Sequence, residues 1–276
     1  MNPRNIIFVG IGVLILIALI QPQAPVRAGT VAVIPIQGVI SVESPQGIFA
    51  TQVASSTQIT RWIEQANADK SVQAILLEIN SPGGSAVASD EIVRTLQRVD
   101  KPIVAWIRES GASGAYWIAS EADIIVANPF SITGSIGVVA SYLNFAEFIQ
   151  RYNITQERLV AGEQKDLASP FMPLSDDQRE RMQAKLDAMH EYFLDSVQEA
   201  RNLTDEQRAE IQSAEFYIGI EAYQKGLVDV LGSRQEVDAI LRELVGGEIR
   251  FSRYQVRRSA LEGLFSAQPS RLVIQT

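Results

Sequence analysis

Ser113 stands in Gly111-Ala112-Ser113-Gly114, a run of small residues between an apolar extended stretch and a helical one. A serine at a strand-to-helix turn can present its hydroxyl as a nucleophile, and the helix N-terminus behind it favours developing negative charge. That hydroxyl is weak until a base takes its proton. The chain has no cysteine and a single histidine, His190. His190 falls inside a long helical pattern beside its apolar stripe, which is the position of a structural residue. The base that remains is a lysine held neutral, whose pKa must fall from about 10.4 to near 7, a desolvation costing about 4–5 kcal/mol. Lys165, in Leu159-Val-Ala-Gly-Glu-Gln-Lys165, follows a segment expected as a strand near Leu159 and can point inward. From the residues alone, a solvated surface lysine is the more ordinary reading.

Three glycine-rich segments accompany these residues: Asn80-Ser-Pro-Gly-Gly84-Ser85, Gly111–Gly114, and Ile132-Thr-Gly-Ser135-Ile-Gly137. Glycines after strands let backbone N–H groups face a ligand, which suits an anion hole, and in parallel sheets such loops converge at the carboxyl ends of the strands. None is followed by Gly-Lys-Ser/Thr, so none is a P-loop. Zero cysteines exclude disulfides, thiolate zinc sites, iron–sulfur clusters and a cysteine nucleophile. No metal or other cofactor is called for. A net charge of −8, from 24 basic and 32 acidic side chains, argues against a nucleic-acid partner.

The elements that must position these groups alternate between strand and helix. Thr30–Ile36 reads as a strand, then a helix capped by Ser56 with Ile59, Trp62, Ile63 and Ala66 on one face. Val72–Ile79 is a second strand, Ala88, Ile92, Leu96 and Val99 mark a helix, and Ile103–Ile107 is a third strand. A short helix runs from Ser113 to Ala119, and Ala122–Ala127 is a fourth strand. Asn144 caps a further helix. Ser175 with Gln178 opens a long one whose stripe is Met182, Leu186, Met189, Phe193 and Val197. Thr204 with Gln207 opens the next. Repeated β-α units imply an α/β fold with a mostly parallel sheet and packed helices.

At the chain start, Ile6–Ile20 is an unbroken apolar run after Arg4. Fifteen helical residues span about 22 Å, short of a roughly 30 Å hydrocarbon core, so interfacial neighbours or bilayer thinning must help. The run is expected as a single-pass transmembrane helix with its N-terminus in the cytoplasm; the alternative is a signal peptide cleaved near Ala28. Either sends the rest across the membrane, to the periplasmic or extracytoplasmic side. The expected division is residues 1–28 as anchor or signal segment, 29–247 as the functional domain, and 248–276 as a basic tail. Residues 249–276 carry Arg250, Arg253, Arg257, Arg258 and Arg271 against Glu262 alone.

The ordered set Asn80-Ser-Pro-Gly-Gly84, Ala112-Ser113-Gly114-Ala115-Tyr116, Ile132-Thr-Gly-Ser135-Ile-Gly-Val138, Gly162-Glu-Gln-Lys165-Asp166 and Gly226-Leu-Val-Asp229 resembles the signal peptide peptidase A family. The similarity spans about residues 30–240. The resemblance implies a ClpP/crotonase-like fold and a Ser–Lys dyad, with Ser113 as nucleophile and Lys165 as general base. It implies oxyanion-hole N–H groups at Gly84 and Gly114, and Ser135 as the residue that orients the lysine. It further implies peptide substrates such as signal-peptide remnants, a membrane-anchored serine endopeptidase, and a homo-oligomer. A crotonase-type acyl-CoA hydratase or isomerase and a catalytically silent membrane scaffold are the competing readings. The chain departs from the family at two places. Ala115 replaces the second glycine after the nucleophile, where its methyl is expected to narrow the turn or the groove. Glu163-Gln164 stands where an aromatic residue is common before the lysine.

Overall fold

The computed structural model describes residues 29–43 and 53–255. The expected anchor, residues 1–28, lies outside them, and among the described residues no helix is long and apolar enough to cross a membrane. In chain order the elements are β1 (Gly29–Gln37), β2 (Val39–Ser41), β3 (Val53–Ser55), α1 (Ser56–Ala68), β4 (Val72–Ser81), α2 (Ala86–Leu96), β5 (Ile103–Ala112) and α3 (Gly114–Ser120). There follow β6 (Ile124–Ala127), β7 (Ile132–Gly134), α4 (Ala146–Arg151), α5 (Asp176–Arg201), α6 (Asp205–Ile211), β8 (Phe216–Ile218), α7 (Gly219–Gln224), β9 (Val230–Leu231), α8 (Arg234–Val245) and β10 (Ile249–Arg253).

The main sheet runs β10-β1-β4-β5-β6-β9, all in parallel, and β7 joins the far end of β5 and pairs antiparallel with β8. Because side chains alternate across a strand, each central strand serves two cores. Ile75, Leu77 and Ile79 face one side with Ile34, Ile36 and Ile107, covered by α1, α2, α3 and the end of α5. Ala74 and Leu76 face the other with Val31, Val33 and Val104, covered by Val237 and Leu241 of α8. Burying each such aliphatic side chain contributes about 1.5–3 kcal/mol, which is why the middle strands are apolar on both faces.

Several expectations shift. Ser55, not Ser56, caps α1, accepting from the Gln58 N–H. The Ser175 and Thr204 capping boxes both form. Asn144 lies one residue before the cap of α4 and accepts from the Ala146 N–H at 2.9 Å. The strand expected near Leu159 is absent: residues 154–160 are irregular and Leu159 is 100% exposed. Apolar residues alone cannot make a strand where no neighbouring strand offers backbone partners. The stripe of α5 is buried only at Phe193, Leu194 and Val197, so the first half of that helix projects from the core. Residues 249–253, at the head of the expected tail, form β10 against β1, in register from Gly29↔Ile249 to Val33↔Arg253. Residues 256–276 lie outside the described residues.

Candidate active site

Three loops meet at the carboxyl end of the sheet because their strands lie side by side: β4 with β5, and β5 with β7. Ser113 follows the last residue of β5 and caps α3 in a strained conformation, φ 53° and ψ −129°. A serine there costs about 1–3 kcal/mol and persists only because its surroundings over-determine it. Its N–H donates to the Gly134 carbonyl at 2.8 Å, and its carbonyl accepts from the Trp117 N–H at 3.0 Å. The side chain makes no capping bond to the helix. The hydroxyl is therefore left for chemistry on a half-buried residue.

The first loop approaches this turn closely. A Cβ on Gly83, at φ +98°, would lie 2.8 Å from the Ser113 Cβ and 2.9 Å from the Gly114 nitrogen, so only glycine fits there. Gly84 forms a parallel bridge with Ile40, in which the Ile40 N–H donates to the Gly83 carbonyl at 2.9 Å and the Ser85 N–H to the Ile40 carbonyl at 2.8 Å. In that pattern the N–H of Gly84 itself points away from Ile40. The Gly84 nitrogen lies 3.7 Å from the place a Gly114 Cβ would take. Gly114 is the first residue of α3, and first-turn N–H groups have no partner within a helix. The Gly84 and Gly114 nitrogens thus lie close together at the Ser113 turn, and paired backbone N–H groups are the kind of donor that can stabilise a tetrahedral oxyanion.

The third loop supplies Ser135, next to the Gly134 carbonyl that holds Ser113. Sequence reasoning missed the serines and threonine that brace these loops. The Ser81 hydroxyl accepts from the Gly83 N–H at 3.1 Å, Ser89 donates to the Ser85 carbonyl at 3.0 Å, and Thr133 donates to the Gly111 carbonyl at 2.7 Å. All three are buried, and their adjacency to the glycines was the available signal. Ala115 is fully buried in the core beneath α3, so its methyl narrows neither turn nor groove.

Lys165 is exposed on the turns of residues 161–168, its N–H bonded to the Gly162 carbonyl at 3.0 Å. No hydrogen bond joins it to Ser113 among the described residues. Neighbouring Asp166 is taken by Arg158, with one contact at 2.7 Å, and that hydrogen bond holds the Asp166 carboxyl below the usual range. Gln164 turns inward instead, its Oε1 buried without a hydrogen-bond partner among the described residues. Ser113, Gly84, Gly114 and Ser135 are brought together; Lys165 is on the surface. Among the described residues no cluster of histidine and carboxylates could hold a metal ion.

Residues 95–247 match the profile of Peptidase family S49. The chain belongs to that family, the SppA family of serine peptidases. Protease 4 of Haemophilus influenzae is 34% identical over 78% of this chain, and a protease-named relative from Methanocaldococcus jannaschii 32% over 72%. The alignments span 35% and 64% of those relatives. Two structures of the 1510-N membrane-bound stomatin-specific protease, the second in complex with a substrate peptide, share the S49-type fold. They have TM-scores of 0.55 and 0.54 at 16% and 18% identity, covering 83% and 87% of this chain and 99% and 97% of theirs.

Proposed function

We propose that this S49 chain is a serine endopeptidase that cleaves extended peptides by acyl transfer. Ser113 attacks the scissile carbonyl, and the Gly84 and Gly114 N–H groups bind the resulting oxyanion. Lys165 takes the serine proton, returns it to the leaving amine, and then activates water for deacylation. Ser135 orients the lysine. The observation that carries the reading is the strained Ser113 at a strand-to-helix turn that the Gly83–Gly84 loop approaches closely.

A lysine serves as a general base at neutral pH only when its ammonium is desolvated. Lys165 therefore works only once the surface around it is covered. Its segment exposes Val139, Leu143, Phe148, Tyr152, Ile154 and Leu159, more apolar surface than a monomer leaves open without use. Contact with a second copy buries it, and a homo-oligomer desolvates the lysine. The Ile6–Ile20 run anchors the chain with its catalytic domain on the exported side, which suits signal-peptide remnants and other membrane-proximal peptides as substrates.

A fluorophosphonate probe tests the core of this reading. Labelling at Ser113 that is lost in Lys165→Ala supports it. Absence of labelling in the intact protein, at any pH from about 6 to 10, would sink it in favour of an acyl-CoA enzyme or a silent scaffold.

A further inference from the structure

Ser135 occupies a left-handed backbone conformation, φ +51°, that non-glycine residues rarely adopt, and it stands where regular structure ends. β7 stops at Gly134, and residues 135–145 follow with neither helix nor strand. Three consecutive residues are each pinned by a different element. The Gly134 carbonyl accepts from the Ser113 N–H at 2.8 Å, and the Ser135 N–H donates to the Glu215 carbonyl at 2.8 Å. The Ile136 carbonyl lies 2.9 Å from Nε2 of His190. A carbonyl can only accept, so Nε2 carries the proton and donates.

His190 is well placed for this work. It lies on α5 one turn before Phe193 and Leu194 and two before Val197, the residues that fasten that helix to the core. Ile136 is 1% exposed, so its carbonyl has no water to take the place of the imidazole. The His190 bond is the side-chain tether that ties the far side of Ser135 to rigid structure.

We infer that His190 is a positioning residue: its Nε2–H, through the Ile136 carbonyl, holds Ser135 in its strained backbone geometry, next to the Gly134 carbonyl that anchors Ser113. The inference rests on the peptidase reading for its kinetic consequence, and on geometry alone for the placement of Ser135. Because a misplacement of about 1 Å can cost 10²-fold in rate, His190→Leu should lower kcat by about 10- to 100-fold with little change in KM. His190→Gln should restore most of the loss, because its amide N–H can occupy the place of Nε2.

The test uses the full chain and compares both variants per folded molecule, alone and in a Ser135→Ala background, by peptide hydrolysis and by the rate of fluorophosphonate labelling. If His190 acts through Ser135, His190→Leu has little further effect once the Ser135 hydroxyl is gone. An unchanged kcat in His190→Leu, or a loss of the same size in both backgrounds, overturns the inference. If the leucine variant does not fold, His190→Asn replaces it, since its side chain is too short to reach the carbonyl. Failure of the peptidase reading appears separately, as absence of labelling in the unaltered protein. In that event the single histidine decides by NMR: a slowly exchanging Nε2–H signal, with a Ser135 amide shift that moves in His190→Leu and returns in His190→Gln, supports the placement. A rapidly exchanging imidazole proton overturns it.

Discussion

Gly114→Ala tests the oxyanion hole and its packing together. A Cβ at residue 114 would fall 2.2 Å from the Ser89 Oγ and 3.2 Å from the Ser89 Cβ. An ordinary contact is about 3.5–4 Å, so the hydroxyl or the start of α3 must move by more than 1 Å. The Ser89 hydroxyl cannot swing away cheaply. Ser89 is fully buried, and its Oγ donates to the Ser85 carbonyl at 3.0 Å. Alanine gains about 0.5–1 kcal/mol over glycine in a helix, while overpacking costs about 1–3 kcal/mol. The net change should be a loss of roughly 0–2.5 kcal/mol, read as a small fall in Tm. The larger effect is chemical. Displacing the Gly114 N–H removes one oxyanion donor, which should lower kcat by about 10²–10³, or about 2.7–4 kcal/mol, with KM little changed. Ser89→Ala in the same chain removes the nearest atom and should recover the stability and part of the rate. Peptide hydrolysis per folded molecule, alongside thermal unfolding, separates the two effects. Wild-type kcat in a folded Gly114→Ala protein would show that this N–H does not serve the reaction, and an unchanged Tm as well would show that the Ser89 contact is not tight.

Ser113→Ala and Lys165→Ala should each reduce peptide hydrolysis at least about 10³-fold without changing the unfolding midpoint, since members of one catalytic unit fail together; an active Lys165→Ala protein would assign the base elsewhere. Glu121, at the end of α3, has its carboxyl pushed up to about 7 by burial, reinforced by the nearby Glu199 charge, while a hydrogen bond from Gln97 works the other way. Its folded-state pKa exceeds the unfolded one, so its contribution is most favourable below about pH 4.5 and is lost as pH rises through about 7. Glu121→Gln should therefore gain about 1–2 kcal/mol over wild type at pH 8, allowing for its partial exposure, and much less at pH 5; an equal difference at both pH values would show that the burial is not felt. Tyr116, fully buried on α3, donates to the Leu227 carbonyl at 2.9 Å. Tyr116→Phe should cost about 1–3 kcal/mol in urea unfolding by leaving that carbonyl unpaired, and an unchanged midpoint would mean water replaces the hydroxyl.

Local chemistry made much of this protein legible in its amino-acid order. Runs such as Val72–Ile79 are apolar on both faces, which only a doubly covered parallel strand requires, and capping boxes at Ser175 and Thr204 depend on residues three apart. Glycines at 83, 84 and 114 stand where the backbone must come close, so the loops could be found before their meeting place was known. Other features depend on what lies across from a residue in space. Among the described residues, Leu159 has strand-like neighbours in sequence but no partner strand, and Met182, Leu186 and Met189 continue a stripe that finds no core to enter. Ile249–Arg253 reads as basic tail, yet β1 has a free edge that pairs with it. His190 looks like filler in a helix until the Ile136 carbonyl is seen opposite its ring. The sequence thus determined the central strands, the capping boxes and the glycine turns, because these are set by interactions among near neighbours. Tertiary structure alone decided that the Gly84 loop closes on the turn at Ser113 and Gly114, that Ala115 points into the core and that Lys165 stands in solvent, because direction and burial depend on which distant surfaces the folded chain brings together.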